Sequence, residues 1–446
     1  MTRLLSRQRL GSCADWLAVA VAVALPWSTT LTGVFIALWA VTLIASWDIA
    51  QRLREPWRVA GVLPIALWAF AAAGTLWAHV PLTERIDGLN AFHKFLAIPF
   101  LAIQFRDCGR GMRVLVGFLT SCIVLLLASW GIVLLPDLPW RGRLQIVEGL
   151  VVGGLGIPTK DYNSQGTMFT LCIIGLAEGA LLAWRQSRGG WALLLVLVAI
   201  VFLANILYVA TSRTALVALP LLLVLFALRR LGWKGAIGLL IAIPVLSAAA
   251  WPASSYLRQR VIGLIMEVRD YQPSGASTSA GERLEFWRKS LAFVADAPVL
   301  GHGTGSIRGQ FRQSTSGQTG MAALASANPH NQIFATAIQL GLVGTVLLLA
   351  MWIAHLRFFR SAEMAAGIGL LLVVQNIISS LFNSSLFDFT HGWIYVLGVG
   401  VLCGMVLHDR AGHRSVASTV RYTGASESAP IRGSLPSLYK RWCLGK

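Results

Sequence analysis

The sequence predicts an all-α polytopic membrane protein with about 12 transmembrane helices, one large loop outside the cytoplasm between spans 9 and 10, and both termini cytoplasmic. Three observations carry this reading. Of 446 residues, 56% are hydrophobic and only 13% charged, with a mean hydropathy of +0.67, outside the range of soluble domains. Apolar runs of roughly 20 residues, the length that crosses a bilayer, recur along the chain. The basic residues gather in every second connector between them.

The first five runs lie near residues 12–28, 30–47, 59–78, 89–105 and 114–135. The first follows Arg3, Arg7 and Arg9 without a convincing small-residue cleavage site, so it reads as a span rather than a signal peptide. Trp27, Trp47, Trp57, Trp77, Trp130 and Trp251 stand near run ends, as in the aromatic belts of membrane interfaces. Four more runs lie near 164–184, 191–210, 214–228 and 235–252, the eighth being short. A polar interruption from Pro252 to His330 follows, and then runs near 331–354, 363–382 and 392–407. The predicted units are therefore spans 1–9 in 1–252, the large loop in 253–330, spans 10–12 in 331–408, and a basic, disordered cytoplasmic tail in 409–446.

With the N-terminus inside, the short inner connectors hold Arg52, Arg54, Arg58, Arg106, Arg110, Arg113, Arg185, Arg188, Arg229, Arg230, Lys234, Arg357 and Arg360. Only Asp48, Glu55 and Asp107 oppose them. This positive-inside pattern places 252–330 outside the cytoplasm, together with the loops near 83–87, 136–163 and 383–391. The formal charge of +18 thus reports topology and contact with anionic lipid, not nucleic-acid binding. Six cysteines without CxxC spacing argue against a disulfide framework or a thiolate metal site. No internal repeat is evident, which weakens a transporter built from inverted halves.

Topology selects against arginines on the outer side, yet Arg141, Arg143, Arg213, Arg258, Arg260, Arg269, Arg283, Arg288, Arg308 and Arg312 all fall there. Taken singly, most read as solvated surface; converging, they suit an anionic ligand, because the guanidinium fork matches phosphate oxygens. Arg213 stands apart, since Thr211-Ser212-Arg213-Thr214 separates two apolar runs with almost no room for a loop. A charge at that depth is either an anchor or functional. His330, in Asn328-Pro329-His330-Asn331, opens a membrane helix, where an imidazole can act as base or donor if it is not simply structural. Asp388 and His391 form a polar turn that can cap a helix, orient a sugar hydroxyl or pair with an arginine. Two such groups three residues apart do not specify a metal. Gly301-His302-Gly303-Thr304-Gly305 lacks the Lys-Ser/Thr of a nucleotide loop and reads as a tight turn folding the loop back on the membrane. The outer loops contain no DxD pair, which argues for a donor diphosphate neutralised by arginine instead of a divalent metal.

His330-Asn331, then nine residues, then Gly341-Leu342-Val343-Gly344 resembles the histidine signature of bacterial O-antigen ligases. Ser212-Arg213, Glu282-Arg283-Leu284-Glu285-Phe286-Trp287 and Pro298-Val299-Leu300-Gly301-His302-Gly303 resemble the conserved block of the wider O-antigen ligase and polymerase superfamily. The resemblance implies an inner-membrane, inverting glycosyltransferase whose large loop is periplasmic. It would move O-antigen from undecaprenyl diphosphate to a sugar hydroxyl of lipid A-core, with no nucleotide, metal or other cofactor. Carried over, His330 would sit beside the acceptor hydroxyl, while Arg213 and one loop arginine hold the departing diphosphate. Arg283 fits the Arg-x-x-x-Trp pattern, and Arg288 lies further along. Arg141, Arg143, Asn331, Asp388 and His391 complete the candidate set as substrate-binding residues. An O-antigen polymerase, a protein-glycosylating ligase and a twelve-span transporter remain the alternatives.

Overall fold

The computed structural model describes residues 2–46, 61–135, 156–210, 212–253, 255–270 and 278–423, and the regular structure among them is entirely helical. Helices α1 (Thr2–Ala24) and α2 (Thr29–Ser46) pair as a hairpin, followed by the short α3 (Val62–Gly74). Helix α4 (Leu82–His93) runs through a 3₁₀ turn (Lys94–Leu96) into α5 (Ala97–Cys108), and α6 (Gly111–Leu134) comes next. Four helices follow: α7 (Tyr162–Arg185), α8 (Gly189–Tyr208), α9 (Arg213–Arg230) and α10 (Gly232–Ala253). The polar interruption folds into α11 (Ser255–Arg269), α12 (Ser279–Asp296) and α13 (Ile307–Thr315). The chain then forms α14 (Gln332–Phe358), α15 (Met364–Phe382) and α16 (Phe389–Thr423).

Eight helical segments are long and apolar enough to cross a membrane: 29–46, 82–108, 111–134, 162–185, 189–208, 332–358, 364–382 and 389–412. The chain is a polytopic membrane protein. The other four expected runs are also helical, as α1, α3, α9 and α10. They fall short of that standard for visible reasons: α1 opens on arginines, α3 has 13 residues, and α9 begins and ends on arginine.

Two boundaries differ from expectation. The connector near 83–87 is the first turn of α4, because Pro81 at the cap and Glu84 in the first turn start a helix there. At the far end α16 continues past 407 to Thr423, with no proline to stop it before Pro430. Residues 424–446 lie outside the described ones.

The main core is built from α1, α5, α14, α15 and α16. Helix α16 lies along α5. A Cβ at Gly400 would stand 2.5 Å from the Leu101 Cβ, and one at Gly404 2.7 Å from the Phe105 Cβ, so small residues set how closely these helices approach.

One device ties the polar interruption to this bundle. Helix α14 is broken at Gly341, whose φ of 61° and ψ of −156° no helical residue adopts. An unbroken helix would bond Leu342 N–H to Ile338 C=O and Val343 N–H to Gln339 C=O. Instead, Leu342 and Val343 donate to the carbonyls of Pro298 and Val299 at 2.8 and 3.3 Å. The freed carbonyls of Ile338 and Gln339 accept from the amides of His302 and Gly303 at 2.8 and 2.9 Å. The segment 298–303 is thus inserted into the helix break with the backbone satisfied on both sides. Gly303 is required there, since its φ is +89° and a Cβ would sit 2.4 Å from the Ala78 Cα. The glycine-rich turn folds the loop back on the bundle, as the sequence suggested.

Candidate active site

Four helix N-termini converge on one cavity of about 250 Å³. It is lined by Tyr162 and Asn163 from α7, Thr214 from α9, Ser279, Glu282 and Arg283 from α12, and His330 just before α14. Ser379, Phe382, Asn383, Ser385 and His391 close it from the α15–α16 turn. Each helix starts with a built cap. Asp161 accepts from the amides of Asn163 and Ser164, Ser212 from Ala215, Thr278 from Gly281, and Asn331 from Ile333 and Phe334. The positive ends of four helix dipoles therefore point at one space, which favours an anion.

His330 sits in the left-handed region, φ 53°, held by its own amide donating to Asn328 Oδ1 at 2.8 Å. Its ring stacks on Phe286, 5.9 Å between centroids and 17° from parallel. Asn383 Oδ1 accepts from the Asn328 amide group at 3.0 Å and from the Ser384 backbone at 3.0 Å, so that oxygen faces His330 Nδ1 at 3.2 Å as an acceptor. Nδ1 must then carry the proton, which leaves Nε2 as the basic nitrogen. Burial and the nearby Arg283 charge push the imidazole below its ordinary value, so it is neutral at neutral pH.

Arg283 lines the cavity, with Nη1 donating to Ser279 Oγ at 3.3 Å and a buried Nε that has no partner. Burial lowers its pKa below the usual arginine value, and Arg213 adds to that. Arg288 is placed elsewhere: it forks onto Glu285 at 3.0 and 2.6 Å with 64% of its side chain exposed. Arg213 stands just behind the lining, gripped by Glu267 at 2.8 and 3.2 Å. Glu267 also accepts from the Ala280 amide at 2.9 Å, and the Arg213 hydrogen bonds hold its carboxyl below the usual range.

Of the expected substrate-binding residues, His391 lines the cavity and is bound to Asp388 at 2.8 Å. Asp388 stands behind it, just before α16, and also accepts from the His391 amide at 2.8 Å. Asn331 is the α14 cap, and its amide nitrogen is spent on the Leu381 carbonyl at 3.2 Å. Arg141 and Arg143 lie outside the described residues.

Sequence reasoning missed Glu267, Asn163, Asn383 and Lys160. Lys160 donates to Thr390 Oγ1 at 2.7 Å, and burial pulls its ammonium down to about 8. Glu267 carried a signal: it and Asp270 are the only acids between Glu178 and Glu282, in a stretch rich in arginine. Asn383 carried none, because its role arises from a contact with a residue 53 positions away.

A protein of Haemophilus influenzae described only as uncharacterized is 26% identical over 204 residues, which is 45% of this chain and 45% of that one. This chain therefore matches less than half the length of that relative. Residues 198–349 match the family model described as O-antigen ligase, a span holding Arg213, Glu267, Arg283, His330 and the Gly341 break. The resemblance read from the motifs is thereby shown for residues 198–349, which carry the domain of the O-antigen ligase family.

Proposed function

We propose that the protein is a glycosyltransferase of the periplasmic face of the inner membrane that transfers O-antigen from undecaprenyl diphosphate to a sugar hydroxyl of lipid A-core. The observation that carries this reading is the cavity where helix N-termini and Arg283 meet the imidazole of His330. The first group suits a departing diphosphate and the second an attacking hydroxyl. The acceptor oxygen attacks the anomeric carbon as its proton passes to His330 Nε2. The bond from that carbon to the phosphate oxygen breaks with inversion, and its electron pair stays on undecaprenyl diphosphate. Arg283 takes up the developing charge. Arg213 joins it by exchanging the Glu267 carboxylate for a phosphate oxygen of the same fork geometry.

In this reading the chain spans the membrane about 12 times, with helices α11–α13 in the periplasm and both termini in the cytoplasm, as the basic connectors imply. The family model covers ligases and polymerases alike, so the acceptor separates the two. Purified protein in lipid is given undecaprenyl-diphosphate-linked glycan and lipid A-core without added metal, and products are followed by gel mobility. Transfer to lipid A-core that disappears in His330→Ala is the expected result. Activity retained in that variant removes His330 from the mechanism, and lengthening of the donor without lipid A-core makes the protein a polymerase.

A further inference from the structure

A second hollow of about 450 Å³, with a largely apolar lining, lies between the α3–α4 turn and α13, and it shares no lining residue with the His330 cavity. The volume falls in the roughly 300–1,000 Å³ range of small-ligand pockets. Helix α13 separates the two hollows by having two faces. Ile307 and Phe311 turn inward, where Phe311 meets Phe286 at 5.4 Å and Phe293 at 5.2 Å, and Phe286 in turn stacks on His330. The opposite face presents Gly309, Gln310, Arg312 and Gln313 to the hollow, across from Trp77 and Glu84.

The lining has the chemistry that recognises sugars. A pyranose has an apolar face of C–H groups and a rim of hydroxyls. Trp77 offers an aromatic surface for the first, while the planar groups of Glu84, Gln310, Arg312 and Gln313 offer paired donors and acceptors for the second. Behind this wall the protein leaves three buried polar atoms without a partner: Trp77 Nε1, Glu84 Oε2 and the Oγ of Ser306, a residue 1% exposed.

Charge argues against phosphate as the ligand, because Arg312 is already compensated by Glu84 at 2.9 Å. The wall is also fixed in advance. Arg85 donates to the carbonyls of Val80 and Thr75 at 2.9 and 3.0 Å and so staples the turn that carries Trp77, while Thr304 bonds the carbonyls of Ala71 and Gly74 at 2.6 and 3.0 Å.

We propose that this hollow is a carbohydrate-binding site, separate from the His330 cavity, which holds a neutral oligosaccharide segment of a glycan that reacts there. Its assignment to a reacting glycan rests on the proposed function; its sugar chemistry does not.

The test uses the full chain in lipid nanodiscs. The probes are the lipid-free O-polysaccharide fragments and the core oligosaccharide released by mild acid from the lipopolysaccharide of the parent cells. Binding is read by saturation-transfer NMR and titration calorimetry. One of the two probes is expected to bind, with affinity lowered about tenfold or more in Trp77→Ala and largely kept in Trp77→Phe. Glu84→Gln and the Gln310→Ala/Gln313→Ala pair are expected to weaken it severalfold without disturbing the fold. His330→Ala is expected to bind as the wild type, and inorganic phosphate not to compete.

Failure of both probes to bind, binding indifferent to all these variants, or displacement by phosphate overturns the proposal. If oligosaccharide binding depends on Trp77 but no transfer is found with any acceptor, the proposed function falls and the site stands. Transfer with binding indifferent to Trp77 removes the site and leaves the proposed function standing.

Discussion

The two hollows lie on opposite sides of one layer of phenylalanines, and their linings differ in kind: the first is mostly polar, the second mostly apolar. The 250 Å³ cavity gathers four helix N-termini and an arginine with a partnerless buried Nε. The 450 Å³ hollow pairs its arginine with a carboxylate and offers an indole face. Size does not distinguish their ligands. What distinguishes them is what faces the space: helix N-termini and Arg283 beside Glu282 in the first, which suits an anion, and an indole face with a closed Arg312–Glu84 pair in the second, which suits a neutral ligand rich in hydroxyls.

Substitutions can break this comparison or sharpen it. The largest effect is expected at the break on which both hollows depend. Gly341→Ala places a Cβ 2.3 Å from the Val299 carbonyl group in a conformation only glycine adopts comfortably, and should cost more than about 3 kcal/mol. Yield and thermal midpoint in detergent should both fall, and an unchanged midpoint would show that 298–303 is not held as described.

Next, His330→Ala should slow transfer by about 10²–10⁴-fold while leaving the second hollow intact. Arg283→Ala should cost about 10²-fold or more in transfer, with partial recovery in Arg283→Lys, which restores charge but not the fork. The matched change Arg288→Ala should stay within about threefold, because that guanidinium is exposed and engaged with Glu285. Equal losses at the two positions would erase the distinction between them.

The smallest effect is one of pH. Burial and Arg283 lower the His330 pKa, so the basic form persists below the ordinary value of about 6.5. Transfer should be constant above that pH and decline only as the medium falls through the lowered value. Removing the charge, as in Arg283→Gln, should move this acid limb of kcat/KM upward. A limb that stays in place would detach the two residues from each other.

Much of this was legible in the chain. The apolar runs marked the helices because a bilayer demands length and continuous apolarity, and the runs at 164–184 and 363–382 match α7 and α15 within a few residues. Arg213 and His330 were legible because each sits where an apolar run begins, a costly place for an ionisable group. The Arg-x-x-x-Trp pattern already favoured Arg283 while keeping Arg288; what needed coordinates was that five positions on one helix point the two side chains in different directions, Arg283 into the cavity and Arg288 onto Glu285. Helices α12 and α13 inside the polar interruption were missed because only a few of their residues reach a core, the small cluster around Phe286, Phe293 and Phe311. The second hollow was invisible, because Trp77 looked like an interface tryptophan and Glu84 like loop charge. Only the fold brings them against α13, more than two hundred residues away.

The break in α14 has a consequence for biogenesis. Gly341 enters the bilayer as part of an apolar segment whose uninterrupted form satisfies its own amides, whereas the broken form needs Pro298–Gly303 already beside it. A translocon would therefore release a straight helix first and acquire the kink later, when the earlier segment wedges in and exchanges two intrahelical bonds for four across the chain. Maturation of the protein would then end with a stitch between its polar interruption and one of its apolar helices. A cleavage or insertion within 298–303 would be felt inside the membrane.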